Sequence, residues 1–213
     1  MKSIEENLKK SFNGFWNEIL ETDSECVDYF SKMDISKFVR MKRALCNIHN
    51  ILTLETTLAF VDFLDREGVI RNPTCVKENI LGKSANANGF DVDCDDGRGH
   101  RIVAEVKCNA PIRENTFSTS QVNAIKKDLE GLRHGKKSSA ISGTAVYRFL
   151  VFLDIRNVRS AVANLKLDEN FLPLVEYQSS CSLCNDTIYV VYVAPDSVGP
   201  LHRSAESQTL SRR

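Results

Sequence analysis

The pattern of apolar and polar residues changes about one third of the way along the chain. Before residue 68, apolar positions recur every two to four residues, which predicts helices. These positions include Leu45, Ile48, Leu52, Leu54, Leu58, Val61 and Leu64. The pattern ends at Gly68, so we expect an N-terminal helical layer over residues 1–68. From residue 69 onward, Asn, Gly and Pro separate short segments rich in β-branched residues, which indicates that a central sheet begins there.

The clearest strand signal is a hairpin. In residues 90–95, FDVDCD, apolar and acidic residues alternate with the period of a strand that has one buried face. The stretch DDGRGH predicts a turn, and residues 101–107, RIVAEVK, predict the returning strand. The acidic residues of the first strand therefore share one face of the hairpin.

The rest of the chain predicts a helix and two buried strands. After the hairpin, Val122, Ile125, Leu129 and Leu132 fall on one helical face. Residues 146–155, VYRFLVFLDI, and residues 187–193, TIYVVYV, are nearly continuous apolar runs, which are typical of strands covered on both faces. The segment NVRSAVANLKL between them predicts a short helix, and the polar residues 199–213 predict a flexible tail.

Composition places these elements in one ordinary globular domain. The chain has 213 residues, of which 42% are hydrophobic and 26% charged, so we expect a single domain over residues 1–198 with an α/β core at 69–198. No apolar run approaches the roughly 18 residues of a membrane helix, and no signal peptide is evident. Seven scattered cysteines fit a reducing compartment, so we expect an intracellular, cytoplasmic protein without a membrane partner. The formal net charge is zero, so any nucleic acid must be bound by a local basic patch.

Chemistry is concentrated in the predicted hairpin. Glu105 and Lys107 are two residues apart on a strand, so their side chains leave the same face. A hairpin of this length also brings Asp91 beside Glu105. Two neighbouring carboxylates repel each other unless a cation lies between them, and oxygen ligands suit Mg²⁺. With a lysine nearby, such a site fits phosphodiester hydrolysis.

The alternative is that these acids only keep the hairpin soluble. Against it, we find no basic partners in the sequence pattern for Asp91, Asp93, Asp95 and Asp96, which would repel one another across a purely structural face. A bound cation is the simpler explanation.

The residues Asp91, Glu105, Val106 and Lys107 resemble the motif of the PD-(D/E)XK nuclease superfamily. The resemblance covers about residues 80–155 and implies a central mixed β-sheet with an αβββαβ core, flanked by helices, to which this chain adds its N-terminal helical layer. It also implies that Asp91, Glu105 and the Val106 carbonyl bind the metal and that Lys107 orients water. Phe90 stands where the family motif has proline. Asp93 competes with Asp91 as first ligand, and we prefer Asp91 because its spacing to the turn matches the family's hairpin.

Two further polar residues are suggested by the resemblance. Many family members carry a Glu on the helix before the sheet, and Glu55 is the candidate here, although an exposed helix acid explains it equally well. Gln121 matches a polar position on the following helix, with Ser118 and Ser120 near the start of that helix. Serines in such places more often cap helices.

Basic residues after the hairpin are candidates for binding DNA phosphates. They are Lys126, Lys127, Arg133, His134, Lys136 and Lys137. We expect them on the solvent side of the helix, where they either grip phosphates or form a solvated face. RMKR at 40–43 is a second possible contact. Cys181 and Cys184 form a C-x-x-C pair, which is half of a zinc site, but no second pair follows and ordinary turn thiols are the preferred interpretation.

The resemblance implies a Mg²⁺-dependent endonuclease, in which Mn²⁺ can substitute, most like a type II restriction enzyme. The implied partners are double-stranded DNA and a second copy of the chain, because one site cuts one strand. Two alternatives stay open: a repair or structure-specific nuclease of the same superfamily, and a non-catalytic nucleic-acid-binding module on this fold.

Overall fold

The computed structural model of the chain describes residues 4–20, 27–83, 88–112, 114–141, 145–167, 170–179 and 182–197. The helices in these ranges are α1 (Ile4–Ile19), α2 (Ile35–Arg66), α3 (Pro73–Leu81), α4 (Thr119–His134) and α5 (Val158–Ala163). The strands are β1 (Val92–Asp95), β2 (Arg101–Lys107), β3 (Gly135–Lys136), β4 (Ser139–Ala140), β5 (Val146–Leu153), β6 (Leu174–Glu176) and β7 (Ile188–Val193). The chain divides into two compact units, residues 1–48 and 49–213.

The first unit contains α1, a 3-10 turn and the first half of α2. The ring of Phe12 packs edge to face on Trp16, Phe30 and Phe38, with centroid distances of 5.5–6.3 Å. This half-buried aromatic cluster joins α1, the 3-10 turn and the start of α2. The predicted helical layer is helical in its described parts, and α2 ends two residues before the predicted end at 68. The division into units, however, falls inside α2.

The second unit is built on a five-stranded mixed sheet with the order β1-β2-β5-β7-β6. Strand β1 is antiparallel to β2, and the remaining pairs are parallel. The two apolar runs predicted to be covered strands are β5 and β7, and both are buried along most of their length. The mixed α/β sheet flanked by helices is thereby confirmed.

Helices cover both faces of this sheet, and the alternation in β2 decides which face holds the polar residues. Ile102 and Ala104 belong to a core with α2 and α3, whereas Val103 belongs to a second core with α4 and α5. Since strand side chains alternate, Glu105 and Lys107 leave β2 on the same face as Val103. The candidate residues therefore face α4.

One expectation about the segment before β2 is wrong. The sheet does not begin near residue 69, because Pro73 opens α3 and Asn72 caps it, accepting a hydrogen bond from the Cys75 N–H at 3.2 Å. Asn and Pro are common in breaks between elements, but Asn at the N-cap and Pro at the first helical position also begin a helix. In addition, the described residues before α4 contain two strands, β1 and β2, where the αβββαβ core has three.

Membrane insertion finds no support in the described part of the chain, where no helix is both long and apolar enough to cross a bilayer. The tail predicted over residues 199–213 lies outside the described residues.

Candidate active site

The two carboxylates predicted to converge stand opposite each other at the open end of the hairpin. Val92 pairs with Ala104, so Asp91 comes opposite Glu105 one residue further along. The Asp91 carboxylate also accepts a hydrogen bond from the Val106 N–H at 2.8 Å. In a strand, the N–H and C=O of one residue point to the same side, so the Val106 carbonyl faces the side of Asp91 as well. Asp91 therefore lies close to the other two predicted metal ligands, the Glu105 carboxylate and the Val106 carbonyl.

Burial and mutual repulsion make this pair hard to ionise. Glu105 is only 4% exposed, and burial followed by the charge of Asp91 raises its pKa to about 8. Burial also raises the pKa of Asp91, although the Val106 N–H and two lysines partly oppose the change. Two neighbouring carboxyl groups with raised pKa values ionise more readily when a cation lies between them.

Lys107 lies on the same face as Glu105, but its partner comes from α4. Its ammonium group forms an ion pair with the Asp128 carboxylate, and both side chains are largely buried. Asp128 also raises the pKa values of Asp91 and Glu105 through its charge. Sequence reasoning missed Asp128 because an acid between the apolar positions of an amphipathic helix looks like a solvent residue.

Lys136 is the lysine that touches the carboxylate pair. Its ammonium nitrogen lies 2.5 Å from Glu105 Oε1 and donates a hydrogen bond to the Gly89 carbonyl at 2.8 Å. Oε1 is buried, and this ammonium group is its cationic neighbour, which lowers the pKa of Glu105 against the effects of burial and Asp91. The expectation that Lys136 lies on the solvent side of a helix is wrong: α4 ends at His134, and Lys136 belongs to β3.

Asp93, the rival first ligand, is occupied elsewhere. Arg101 donates to both of its carboxylate oxygens at 2.8 Å, and the Ser139 hydroxyl donates to one of them at 2.5 Å. Asp96 likewise pairs with His100, at 2.9 Å from Nδ1. The expectation that these acids lack basic partners is therefore wrong for both residues, because the partners lie across the hairpin. What remains beside Glu105 is Asp91.

Glu55 and Gln121 are not brought into contact with the carboxylate pair. Glu55 is buried on α2, whose core lies on the opposite face of the sheet, and no hydrogen bond or ion pair links it to a described residue. Gln121 forms a capping box with Ser118, and its amide donates to the Ala110 carbonyl at 2.8 Å. Gln121 thus ties the loop after β2 to the start of α4. Ser120 contacts the Ser118 hydroxyl at this same helix start.

The basic residues line a groove beside the pair. This open groove has a volume of about 1310 Å³, and its walls include Lys107, Asp128 and Lys136 together with the basic residues Lys127, Arg133, His134 and Lys137. Lys127, Arg133 and Lys137 are exposed, whereas Lys126 is half-buried and does not line the groove. The predicted RMKR contact at 40–43 belongs to the first unit. A groove of this charge suits a phosphate backbone.

The donor set fits Mg²⁺ held mainly by water and substrate. Among the residues that the structure describes, no three His, Cys, Asp or Glu side chains are grouped to hold a metal ion. Asp91, Glu105 and the Val106 carbonyl would supply two carboxylates and one carbonyl, and Mg²⁺ commonly uses one or two carboxylates plus waters and phosphates. Burial and the charge of Asp91 raise the pKa of Glu105, and a bound cation would oppose both effects.

The C-x-x-C pair is only partly described. Cys184 is exposed, and its thiol contacts the Thr187 and Tyr189 hydroxyl groups at 3.0 and 3.3 Å. Cys181, the other member of the pair, lies outside the described residues. The contacts of Cys184 are those of an ordinary turn thiol.

No protein-family model, curated protein or solved structure matches this chain. The resemblance to PD-(D/E)XK nucleases therefore depends on the motif residues and on the geometry described above.

Proposed function

We propose that the chain is a Mg²⁺-dependent endonuclease that hydrolyses phosphodiester bonds in double-stranded DNA and acts as a sequence-specific type II restriction enzyme. The observation that carries the proposal is the pairing of Asp91 and Glu105 across one hairpin, beside a groove lined by lysine and arginine. Such a substrate is met inside the cell, in agreement with the expected cytoplasmic location.

Each residue has a defined task in this proposal. Asp91, Glu105 and the Val106 carbonyl hold the ion, for which Mn²⁺ can substitute. The chemistry that Mg²⁺ supplies when bound is polarisation of the phosphate and a lower pKa for water. In this proposal Lys107 orients the attacking water and stabilises negative charge that develops on phosphorus, and the ion pair with Asp128 holds its ammonium group. Exposed basic residues in the groove bind neighbouring phosphates.

We further propose that the chain works as a homodimer, because one site cuts one strand and a two-fold dimer matches a palindromic duplex site. The support is an apolar face on α1. Ile4, Leu8, Phe15 and Ile19 recur at helical spacing and are 44–81% exposed. Exposed apolar rows of this kind mark association surfaces. Light scattering should give twice the chain mass, and Leu8→Lys with Ile19→Lys should shift it toward the monomer; a monomeric wild type would reject the dimer.

The nuclease is tested with plasmid and phage DNA, in Mg²⁺ or in chelator. Wild type is compared with Glu105→Gln and Lys107→Ala, and Asp95→Asn serves as the matched control because Asp95 is an exposed acid of the same hairpin. Discrete Mg²⁺-dependent fragments that both site variants lose and the control keeps would support the restriction enzyme. A smear would favour the repair nuclease, and intact DNA on duplex, single-stranded and branched substrates would favour the non-catalytic module.

A further inference from the structure

The ammonium group of Lys136 occupies the place at Glu105 where a metal ion is needed. It lies 2.5 Å from Oε1, it donates to the Gly89 carbonyl, and it stands 5.3 Å from the centre of the Phe90 ring. A carboxylate, a carbonyl and an aromatic face all favour a cation. This lysine and a divalent ion therefore compete for the same buried oxygen.

A dedicated hairpin presents Lys136 to this position. Strands β3 and β4 pair antiparallel, with Lys136 opposite Ser139. The hairpin is fastened to β1 and β2, because Arg101 donates to the Ala140 carbonyl at 2.6 Å and Ser139 donates to Asp93 at 2.5 Å. Gly135 permits the tight entry with φ +89°, where an added Cβ would lie 2.5 Å from the Ile141 nitrogen. The backbone at Lys136 is thus held in place, and only its side chain needs to move.

The same ammonium group also has access to the groove. Lys136 lines it together with the exposed Lys127, Arg133 and Lys137. A phosphate bound among these groups would be a second anion within reach of a flexible four-carbon side chain. Lys136 can therefore exchange one anionic partner for another without leaving the site.

We propose that Lys136 is a tethered counter-ion that keeps Mg²⁺ off Glu105 until a DNA phosphate in the groove draws the ammonium group away. This inference rests on the proposed function and adds regulation to it. Without DNA, Lys136 weakens metal binding; with DNA, Glu105 Oε1 becomes free for the ion. Metal and DNA then strengthen each other's binding, because such coupling is reciprocal. Lys136 is a positioning residue in this scheme.

The test measures metal affinity rather than cleavage. Calorimetry titrates Mg²⁺ into the full chain at pH 9 without DNA, for wild type, Lys136→Gln, Lys136→Arg and Lys137→Gln. Lys137 is the matched control, since it is the next residue, exposed, and lines the same groove. We expect Lys136→Gln to bind Mg²⁺ about fivefold more tightly or better, the lower end of ordinary coupling. Lys136→Arg keeps the charge and should stay within about twofold of wild type, as should Lys137→Gln. Circular dichroism checks that each variant folds.

A second titration adds a short duplex that stays intact on a gel, with Ca²⁺ as the probe ion. The duplex should raise the metal affinity of wild type by a larger factor than that of Lys136→Gln. If Lys136→Gln binds Mg²⁺ no more tightly than Lys137→Gln, or more weakly, the counter-ion role is wrong while the nuclease proposal stands. If wild type binds no Mg²⁺ with or without DNA, and Glu105→Gln behaves identically, the proposed function itself fails.

Discussion

Glu105 is a buried carboxyl group held between a repelling carboxylate and an attracting ammonium group. Burial and Asp91 raise its pKa to about 8 from the ordinary value of 4.5. The folded chain therefore binds a proton that the unfolded chain has released between pH 4.5 and 8. The neutral Glu105 carboxyl group therefore contributes fully to the free energy of unfolding below pH 4.5. This contribution is lost as the pH rises to about 8 and above.

Glu105→Gln should make the free energy of unfolding less dependent on pH. The amide cannot ionise, so this variant should lose much less stability than wild type between pH 5 and 8.5. Each unit of pKa shift corresponds to about 1.4 kcal/mol, so the difference should reach a few kcal/mol at pH 8.5. Urea unfolding in chelator at the two pH values measures it. Equal pH dependence in both proteins would contradict the raised pKa.

The same pKa predicts how metal binding depends on pH. A protonated carboxyl is a poor ligand, so the Mg²⁺ concentration for half-maximal cleavage should fall as pH rises from 6 to 8, by up to about tenfold per pH unit. Cleavage assays across Mg²⁺ concentrations at each pH give this value. A half-maximal concentration that stays constant over this range would show that Glu105 is ionised throughout.

Asp91 and Asp93 provide a matched pair for locating the first ligand. Asp91→Asn should lower the cleavage rate about a hundredfold or more, because a metal ligand supplies several kcal/mol to the transition state. Asp93→Asn loses its contacts with Arg101, should cost about 1 kcal/mol of stability, and should keep cleavage within about tenfold. Rates at saturating Mg²⁺ and urea midpoints measure both effects. The reverse order would make Asp93 the ligand.

At this scale, sequence predicts the pairing of Asp91 with Glu105 because strand periodicity and turn length determine it. It does not predict the contact of Lys136 with Glu105, because Lys136 lies 31 residues after Glu105 and reaches it through a hairpin of two-residue strands. Strands this short have no hydrophobic period to detect. Asp128 is missed because its partner comes from another element.

At the scale of elements, Arg148 joins three pieces of the second unit. It is buried on β5, and its guanidinium donates to the carbonyl groups of Leu132, Val146 and Asn185. Leu132 is in the last turn of α4, so Arg148 also satisfies part of a helix end. Among the described residues, no carboxylate is hydrogen-bonded to this guanidinium, and burial lowers its pKa.

Replacing Arg148 should therefore destabilise the fold. Arg148→Met leaves three carbonyl groups without a donor and should cost about 2–4 kcal/mol. Arg159→Met is the control: Arg159 pairs with Asp154 and Glu176 at the surface, is 54% exposed, and should cost less than about 1 kcal/mol. Urea unfolding compares the two variants. Similar losses for both would mean that the carbonyl groups find water instead.

Elements with a strong local signal are the ones that sequence predicts. The β1–β2 hairpin, α4, β5, α5 and β7 all lie where the pattern places them. The sequence reading misses α3, which is short and begins at Asn-Pro, and β6, whose three residues show no alternation. Pairing of β2 with β5 depends on residues 40 or more positions apart, which local patterns do not encode.

At the scale of the whole molecule, a net charge of zero restricts how the proposed nuclease can bind DNA. Attraction must come from the groove, so few phosphates are contacted and the affinity should depend only moderately on salt. Lys127→Gln and Arg133→Gln should each reduce the slope of log affinity against log salt by about 1. Fluorescence titrations of a labelled duplex at several salt concentrations, in chelator, measure the slope. Arg40 is exposed in the first unit, and Arg40→Gln tests whether that unit also contacts DNA. An unchanged slope would mean that it does not, and a smaller slope would mean that it does.

Strand β1 lies at the edge of the sheet, where acidic residues also protect against aggregation. Among the described strands, β1 pairs only with β2, and it carries the exposed acids Asp93 and Asp95. Charges on an edge strand prevent two molecules from joining their sheets and aggregating. Selection against aggregation alone would therefore keep these acids in a related chain that lacks the proposed nuclease activity. Asp93 and Asp95 are therefore weak evidence for the proposed nuclease activity in a related sequence. Loss of Glu105 or Lys107 is the better sign that this activity is absent.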